Sequence, residues 1–142
     1  MHRTPSLPST LLVFLAIGGL PSFALAKNYE CHLPLVTTSD LENGIPRTKT
    51  SHDKFAEAGF SISVSGDGES AILDGVRFGA AKGPGYLTFY GMAQGMSAGF
   101  DILTIYDARI GKGQFAVESR QVTILGNPIA SQMVGTCVAV GG

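Results

Sequence analysis

The segment Gly95-Met96-Ser97-Ala98-Gly99 matches Gly-x-Ser-x-Gly, the pattern that places a nucleophilic serine on a sharp turn in α/β-hydrolases. That chemistry needs a strand before the serine, a helix after it and a histidine further along the chain. Here a strand pattern follows Ser97, and every histidine precedes it. We therefore interpret the match as chance in a glycine-rich corner and predict no catalytic residue.

Two other polar sets have the residue types of a metal or proton-transfer site. His32 and His52 would have to converge with each other or with Asp53 and Glu57, and nothing in their spacing brings them together. Residues 66–69 alternate glycines and acids like half of a calcium loop, but the remaining oxygen ligands are missing. Solvated surface and a hairpin turn explain these residues, so we expect no metal and no cofactor.

The richest polar set lies on a predicted hairpin. Two segments rich in β-branched and aromatic residues flank a Gly-Lys-Gly turn, which is a hairpin signature. A turn centred on Lys112 and Gly113 sets Asp107 opposite Glu118, with Arg109 and Arg120 diagonal to the two acids. Two interpretations stay open. One is an exposed ladder in which each ion pair contributes at most about 1 kcal/mol, and the other is a ligand site facing the inside of a barrel.

Two tyrosines provide a second candidate surface. Tyr86 and Tyr90 alternate with Leu87 and Phe89, so the tyrosines share one face of a strand and the apolar pair shares the other. A phenol combines apolar area with a polar tip, which suits a binding surface, although the same rings could simply cover a sheet edge. The candidate ligand or partner face therefore comprises Tyr86, Tyr90, Asp107, Arg109, Glu118 and Arg120.

The start of the chain has the three parts of a secretory signal peptide. A basic start at Arg3 precedes an uncharged apolar run over residues 11–20, and Ala24-Leu25-Ala26 offers a small-x-small cleavage site. A membrane anchor would need roughly 18 apolar residues, and Pro21 interrupts the run before that length. We predict a signal peptide over residues 1–26, a single all-β domain over residues 27–142 without a transmembrane segment, and a periplasmic or secreted location.

Charge and cysteine content narrow the function classes further. The chain has 10 Lys and Arg against 11 Asp and Glu, and the mature part would lose only Arg3. A balance so close to neutral, with no basic cluster, argues against nucleic acid as a partner. Cys31 and Cys137 are the two cysteines, and in an exported protein an even count predicts a disulfide, here one that ties the two ends of the domain together.

Strand patterns recur along the whole mature chain. Residues 60–65 alternate apolar side chains with serines, which is typical of a strand with one buried face. About seven or eight short strands follow one another at intervals of about 8 to 12 residues, which predicts a small antiparallel β-barrel or β-sandwich. Pro34 demotes the first strand to an edge or a bulge. An outer-membrane barrel is an alternative, but its strands need about 9 to 11 residues each.

Three segments look irregular by composition. Residues 39–54 are polar, with a turn near Asn43 and a possible short helix capped by Thr50, and residues 79–85 read as a loop. Asp74 and Gly75 suggest a bulge within one strand that runs from Ala71 to Phe78.

These features favour a non-catalytic binding or interaction module. Its expected partner is a small apolar ligand held in a barrel or an envelope protein met by a sandwich. The alternative is a small exported enzyme, such as a hydrolase, whose site assembles across the sheet from Asp107, Glu118 and His32 or His52.

Overall fold

The structure, a computed structural model, describes residues 28–52, 58–93 and 98–141. The described chain forms nine strands. Their bounds are β1 Asn28–Glu42, β2 Ile45–His52, β3 Phe60–Val64, β4 Ser70–Leu73, β5 Val76–Gly83, β6 Tyr86–Ala93, β7 Ala98–Ile110, β8 Gly113–Ile124 and β9 Asn127–Val140.

Eight of these strands close into an antiparallel barrel, and β2 is attached to it as an extra strand. All neighbours pair in sequence order from β3 to β9, and β1 closes the ring by pairing with β3 on one edge and β9 on the other. Beyond β3, the same edge of β1 pairs with β2, whose eight residues are all exposed. The all-β barrel is thus confirmed, and the sandwich alternative is not. Within the described ranges, no helix has the length and apolar character needed to span a bilayer.

Strands β1 and β9 are also joined covalently. Cys31 and Cys137 are direct register partners on these strands and form the predicted disulfide across 106 residues of sequence. Both cysteines are fully buried inside the barrel. The bond therefore locks the seam at which the two ends of the sheet meet.

The core fills the barrel with side chains of alternate residues from every wall. Its largest fully buried members besides the cysteines are Phe89, Leu33, Ile62 and Leu103. Alternation along each strand explains this, because residues two apart point to the same face. The filled axis leaves the outside and the ends of the barrel as places for a binding site.

The first strand contains the bulge that Pro34 predicts. The register between β1 and β9 shifts between His32 and Leu35, as a proline without a donor N–H favours. Opposite the bulge, a Cβ on Gly135 would collide with the backbone of His32 and lie 2.7 Å from the Cα of Leu33. Glycine at position 135 thus permits the close approach of β1 to β9.

Three two-residue turns carry positive φ at both central positions. They are Asn43-Gly44, Asp74-Gly75 and Leu125-Gly126. This is the type I′ geometry, whose twist matches that of a hairpin and which favours Asn-Gly and Asp-Gly. Residues 74–75 therefore separate two strands, which corrects the prediction of one bulged strand from Ala71 to Phe78.

Two segments that look irregular in the sequence are strands. Residues 39–52 belong to the β1–β2 hairpin around the turn near Asn43, and residues 79–83 continue β5. Threonine and serine hydroxyl pairs across β1 and β2 help to explain the first case, with Thr37 to Thr50 at 3.1 Å and Ser39 to Thr48 at 2.9 Å. Residues 53–57, where the short helix was considered, lie outside the described residues.

The β7–β8 hairpin forms as predicted, but its register differs. The two-residue turn is Gly111-Lys112, and the register shifts between Ile105 and Arg109. Because the turn comes one residue earlier than predicted and β7 contains this bulge, Glu118 lies opposite Leu103 and Arg120 lies opposite Asp101. The predicted pairing of Asp107 with Glu118 is therefore wrong, since the sequence pattern gave no sign of either difference.

Candidate functional site

An ionic cluster lies on the inner face of β7 and β8. Arg120 donates to Asp101 Oδ2 from Nε at 3.0 Å and from Nη2 at 2.8 Å, and the same Nη2 donates to Glu118 Oε1 at 2.9 Å. The Asp101 and Glu118 side chains are each 6% exposed, whereas Arg120 is 43% exposed. Two buried carboxyl groups thus share one nitrogen of a half-exposed guanidinium group.

The strand period places these three residues together. Asp101 precedes Leu103 and Ile105 on the inner face of β7, and Glu118 and Arg120 follow the buried Ala116 on β8. Glu118 and Arg120 were candidates from sequence, but Asp101 was missed. Its spacing of two from Leu103 is the signal that could have found it, because both residues must then face the core.

The cluster changes the proton affinity of its members. Burial, and after it the negative charge of Asp101, raise the pKa of Glu118 to about 8 against the opposing effect of Arg120. Burial acts to lower the pKa of Arg120, but the two carboxyl groups outweigh it and raise that pKa above its ordinary value. Glu118 is therefore mostly protonated at neutral pH, and the cluster as a whole is close to neutral.

Asp107 and Arg109 lie elsewhere on β7, Asp107 within the bulge and Arg109 at its far end, and both are exposed. Asp107 accepts from Gln114 Nε2 at 3.4 Å. Burial first and the charge of Asp107 second raise the pKa of Tyr29. Four residues separate Asp107 from Leu103, the partner of Glu118, which is roughly 13 Å along a strand. The predicted ladder is therefore divided between the exposed end of the β7–β8 hairpin and the interior of the barrel.

The histidines do not join the cluster. His32 is exposed and lines a pocket of about 340 Å³ together with Glu30 and Gly59, while Glu118 faces the interior. His52 ends the exposed strand β2. The structure thus does not bring together the residues considered for an enzyme site. Ser97 and most of its motif lie outside the described residues.

Tyr86 and Tyr90 face outwards on β6, as their alternation predicts. Each ring lies against a glycine of β5, since a Cβ on Gly79 would stand 2.7 Å from Tyr90 Cζ and a Cβ on Gly83 would collide with Tyr86. Each tyrosine is 42% exposed. Uncharged neighbours continue this surface, which we call the tyrosine face: Tyr86, Thr88, Tyr90 and Met92 of β6 lie opposite Tyr106, Thr104, Ile102 and Phe100 of β7.

A groove of about 720 Å³ crosses five adjacent strands where β1, β7, β8 and β9 extend beyond the short strands. Apolar side chains supply much of its wall. They are Leu41, Pro46, Phe100, Val122, Pro128 and Ile129. Asp40 is the one charged residue among the described residues that line it. Sequence reasoning missed the groove because the polar β1–β2 hairpin was not recognised.

The groove lies next to the ionic cluster along the strands. Gly99 and Val122 line the groove and come two residues beyond Asp101 and Arg120 on the same strand faces. A Cβ on Gly99 would be 2.6 Å from Val122 Cγ1, so glycine at position 99 allows β7 and the Val122 side chain to pack closely in this wall of the groove. The exposed guanidinium of Arg120 is thus near one side of the groove.

Comparisons with protein-family models, curated proteins and solved structures found no match to this chain. In the part of the chain that the structure describes, no group of three or more His, Cys, Asp or Glu side chains is arranged to hold a metal ion. The groove, the tyrosine face and the ionic cluster are therefore the features from which we infer a function.

Proposed function

We propose that the protein is an exported, non-catalytic binding module that takes a small apolar ligand in the groove over β1, β2, β7, β8 and β9. The observation that carries this proposal is the groove itself, with its volume of about 720 Å³ and its largely uncharged lining. Pockets for small molecules commonly measure about 300 to 1,000 Å³ and combine apolar walls with a few polar groups. Asp40 and Gln121 are available to orient a polar end of the ligand.

The filled core favours the groove over the barrel axis as the binding site. Phe89, Leu33, Ile62 and Leu103 are each no more than 1% exposed and occupy the space that a ligand inside the barrel would need. Burial of apolar ligand surface in the groove would provide roughly 25 cal/mol per Å² before the costs of binding are subtracted. An uncharged ligand fits best, because all the described residues that line the groove except Asp40 are uncharged.

Titration with a neutral apolar dye such as Nile red tests the proposal. We expect saturable binding to the wild-type protein and at least tenfold weaker binding to Leu41→Asp, because the new carboxylate would be desolvated by the ligand. Ile72→Asp is the matched control. Leu41 is 42% exposed and lines the groove outside the tyrosine face, whereas Ile72 is 43% exposed and lies on β4, away from the groove. Equal affinities for all three proteins, or uptake that never saturates, would reject the groove as the site.

The tyrosine face supports a second candidate, docking to an envelope protein. Its aromatic and threonine side chains carry no charge, and tyrosine is common at protein interfaces. A photo-crosslinking residue at position 90, compared with one at position 72, would distinguish this candidate. A crosslinked protein specific to position 90, together with no dye binding, would favour docking over the groove.

A further inference from the structure

One oxygen of the ionic cluster has no hydrogen-bond donor among the described residues. Asp101 Oδ1 is buried and unpaired, while Oδ2 of the same carboxyl group accepts twice from Arg120. The side chain is 6% exposed, so it is largely removed from bulk water. Buried carboxylate oxygens normally accept at least one hydrogen bond. The unpaired Asp101 Oδ1 therefore indicates a hydrogen-bond donor that is missing when both carboxyl groups are ionised.

Glu118 is in the right place to be that donor. Its Oε1 and Asp101 Oδ2 accept from the same Arg120 nitrogen, at 2.9 and 2.8 Å, so they lie no further apart than the sum of these distances. A hydrogen bond with Asp101 is also among the causes that raise the pKa of Glu118. When ionised, a carboxyl group only accepts, but when protonated it gains one O–H donor.

We propose that Asp101 and Glu118 form a proton-binding site inside the barrel, in which Glu118 carries one proton and donates it to Asp101 Oδ1. The cluster then holds one negative charge on Asp101, one positive charge on Arg120 and a neutral Glu118. Each of its hydrogen bonds connects a donor to an acceptor, and together they tie β7 to β8 beside the groove. Loss of the proton leaves two buried negative charges against one cation and weakens this tie.

The surroundings provide no other described charge to replace the proton. The register places Leu103 of β7 and Met133 of β9 on either side of Glu118, and Ser131 of β9 beside Arg120. One strand further out, the register partners are Gly91 of β6, opposite Asp101, and Val36 of β1, opposite Met133. Asp101 and Arg120 are thus the charged groups that act on Glu118, which agrees with a pKa raised to about 8.

The sign of the resulting pH dependence follows from proton binding. The folded protein keeps the Glu118 proton up to about pH 8, whereas the unfolded chain releases it near the ordinary value of 4.5. The contribution to stability is therefore complete below about pH 4.5, declines as the pH rises, and is lost once the pH passes about 8. Within that window the group can raise the unfolding constant by up to about tenfold per pH unit.

Urea unfolding from pH 5 to pH 9 tests the site with the wild-type protein and two variants. Glu118→Gln keeps a donor for Asp101 and an acceptor for Arg120 but cannot titrate, so we expect its unfolding constant to rise at least tenfold less than that of the wild type between pH 5 and pH 8. Glu69→Gln changes an exposed acid in a turn and should keep the wild-type slope.

Carboxyl ¹³C NMR of the labelled wild-type protein measures the protonation of Glu118 directly, without any substitution. We expect the Glu118 resonance to titrate above pH 7. Titration below pH 5 would overturn the proposal, as would a Glu118→Gln variant that retains the full wild-type slope. If that variant does not fold, the NMR titration alone decides.

Discussion

Two neighbouring regions of the barrel interior are stabilised in different ways. Around the disulfide, the buried side chains of Leu33, Ile62 and Phe89 exclude water and stabilise the barrel by apolar packing. On β7 and β8, the buried Asp101 and Glu118 sit beside Leu103 and depend on Arg120 and a proton. The first region should not change its charge between pH 5 and pH 9, because its cysteines are bonded to each other and burial raises the pKa of Tyr29 above its ordinary value of 10.0. Stability of the second region is conditional on solution pH, although both face the same barrel axis.

Removal of the disulfide, which lies in the apolar region, should cause the largest loss in the free energy of unfolding. Replacing both Cys31 and Cys137 by alanine removes a bond that closes a loop across 106 residues. We expect a loss of about 4 kcal/mol in the free energy of unfolding, since the unfolded chain regains the entropy of the open loop. Urea unfolding at pH 5 and pH 9 should show the same loss at both values. A loss below about 1 kcal/mol would mean that packing alone holds the seam between β1 and β9.

Arg120→Met, compared with Ile62→Ala, separates the charged region from the apolar one. Ile62→Ala should cost about 3 kcal/mol at both pH 5 and pH 9, because it leaves a cavity in the apolar region around the disulfide. Arg120→Met should cost about 2 kcal/mol at pH 9, a value reduced by the exposure of the guanidinium, and less at pH 5, where Glu118 is protonated and carries no charge. Unfolding curves at the two pH values measure both effects. If both variants respond equally to pH, the contrast between the two regions is wrong.

The sequence allowed the apolar region to be predicted better than the charged one. Alternation at residues 60–64 and the two cysteines report directly on strands and on a disulfide, because each depends on local pattern or on a simple pairing. The cluster depends on the position of the turn and on a bulge in β7, and a register shift of two residues leaves side-chain alternation unchanged. Glu118 and Arg120 were therefore identified as polar candidates, but Asp107 was paired with them in place of Asp101.

The same limit explains the two strands that were predicted as irregular. Residues 79–83 are small and polar, yet they form β5 because tyrosine rings from β6 cover Gly79 and Gly83. Residues 45–52 form β2 because threonine and serine side chains pair across the hairpin. In both cases a neighbouring strand determines the structure, and the local composition does not.

A substitution outside both regions shows whether they act independently. Leu125 is 97% exposed and adopts φ of 50° in the turn before β9, whereas Asn43 occupies the equivalent position before β2 with φ of 54°. Asparagine tolerates this conformation better than leucine, so Leu125→Asn should raise the free energy of unfolding by about 0.5 to 1 kcal/mol, and Asn43→Leu should lower it by a similar amount. Because the turn is distant from either interior region, its effect should add to that of Ile62→Ala and of Arg120→Met at both pH values. An increment that disappears only in the Arg120→Met background would show that the turn and the cluster are coupled through β8, and the charged region would then extend to the end of that strand.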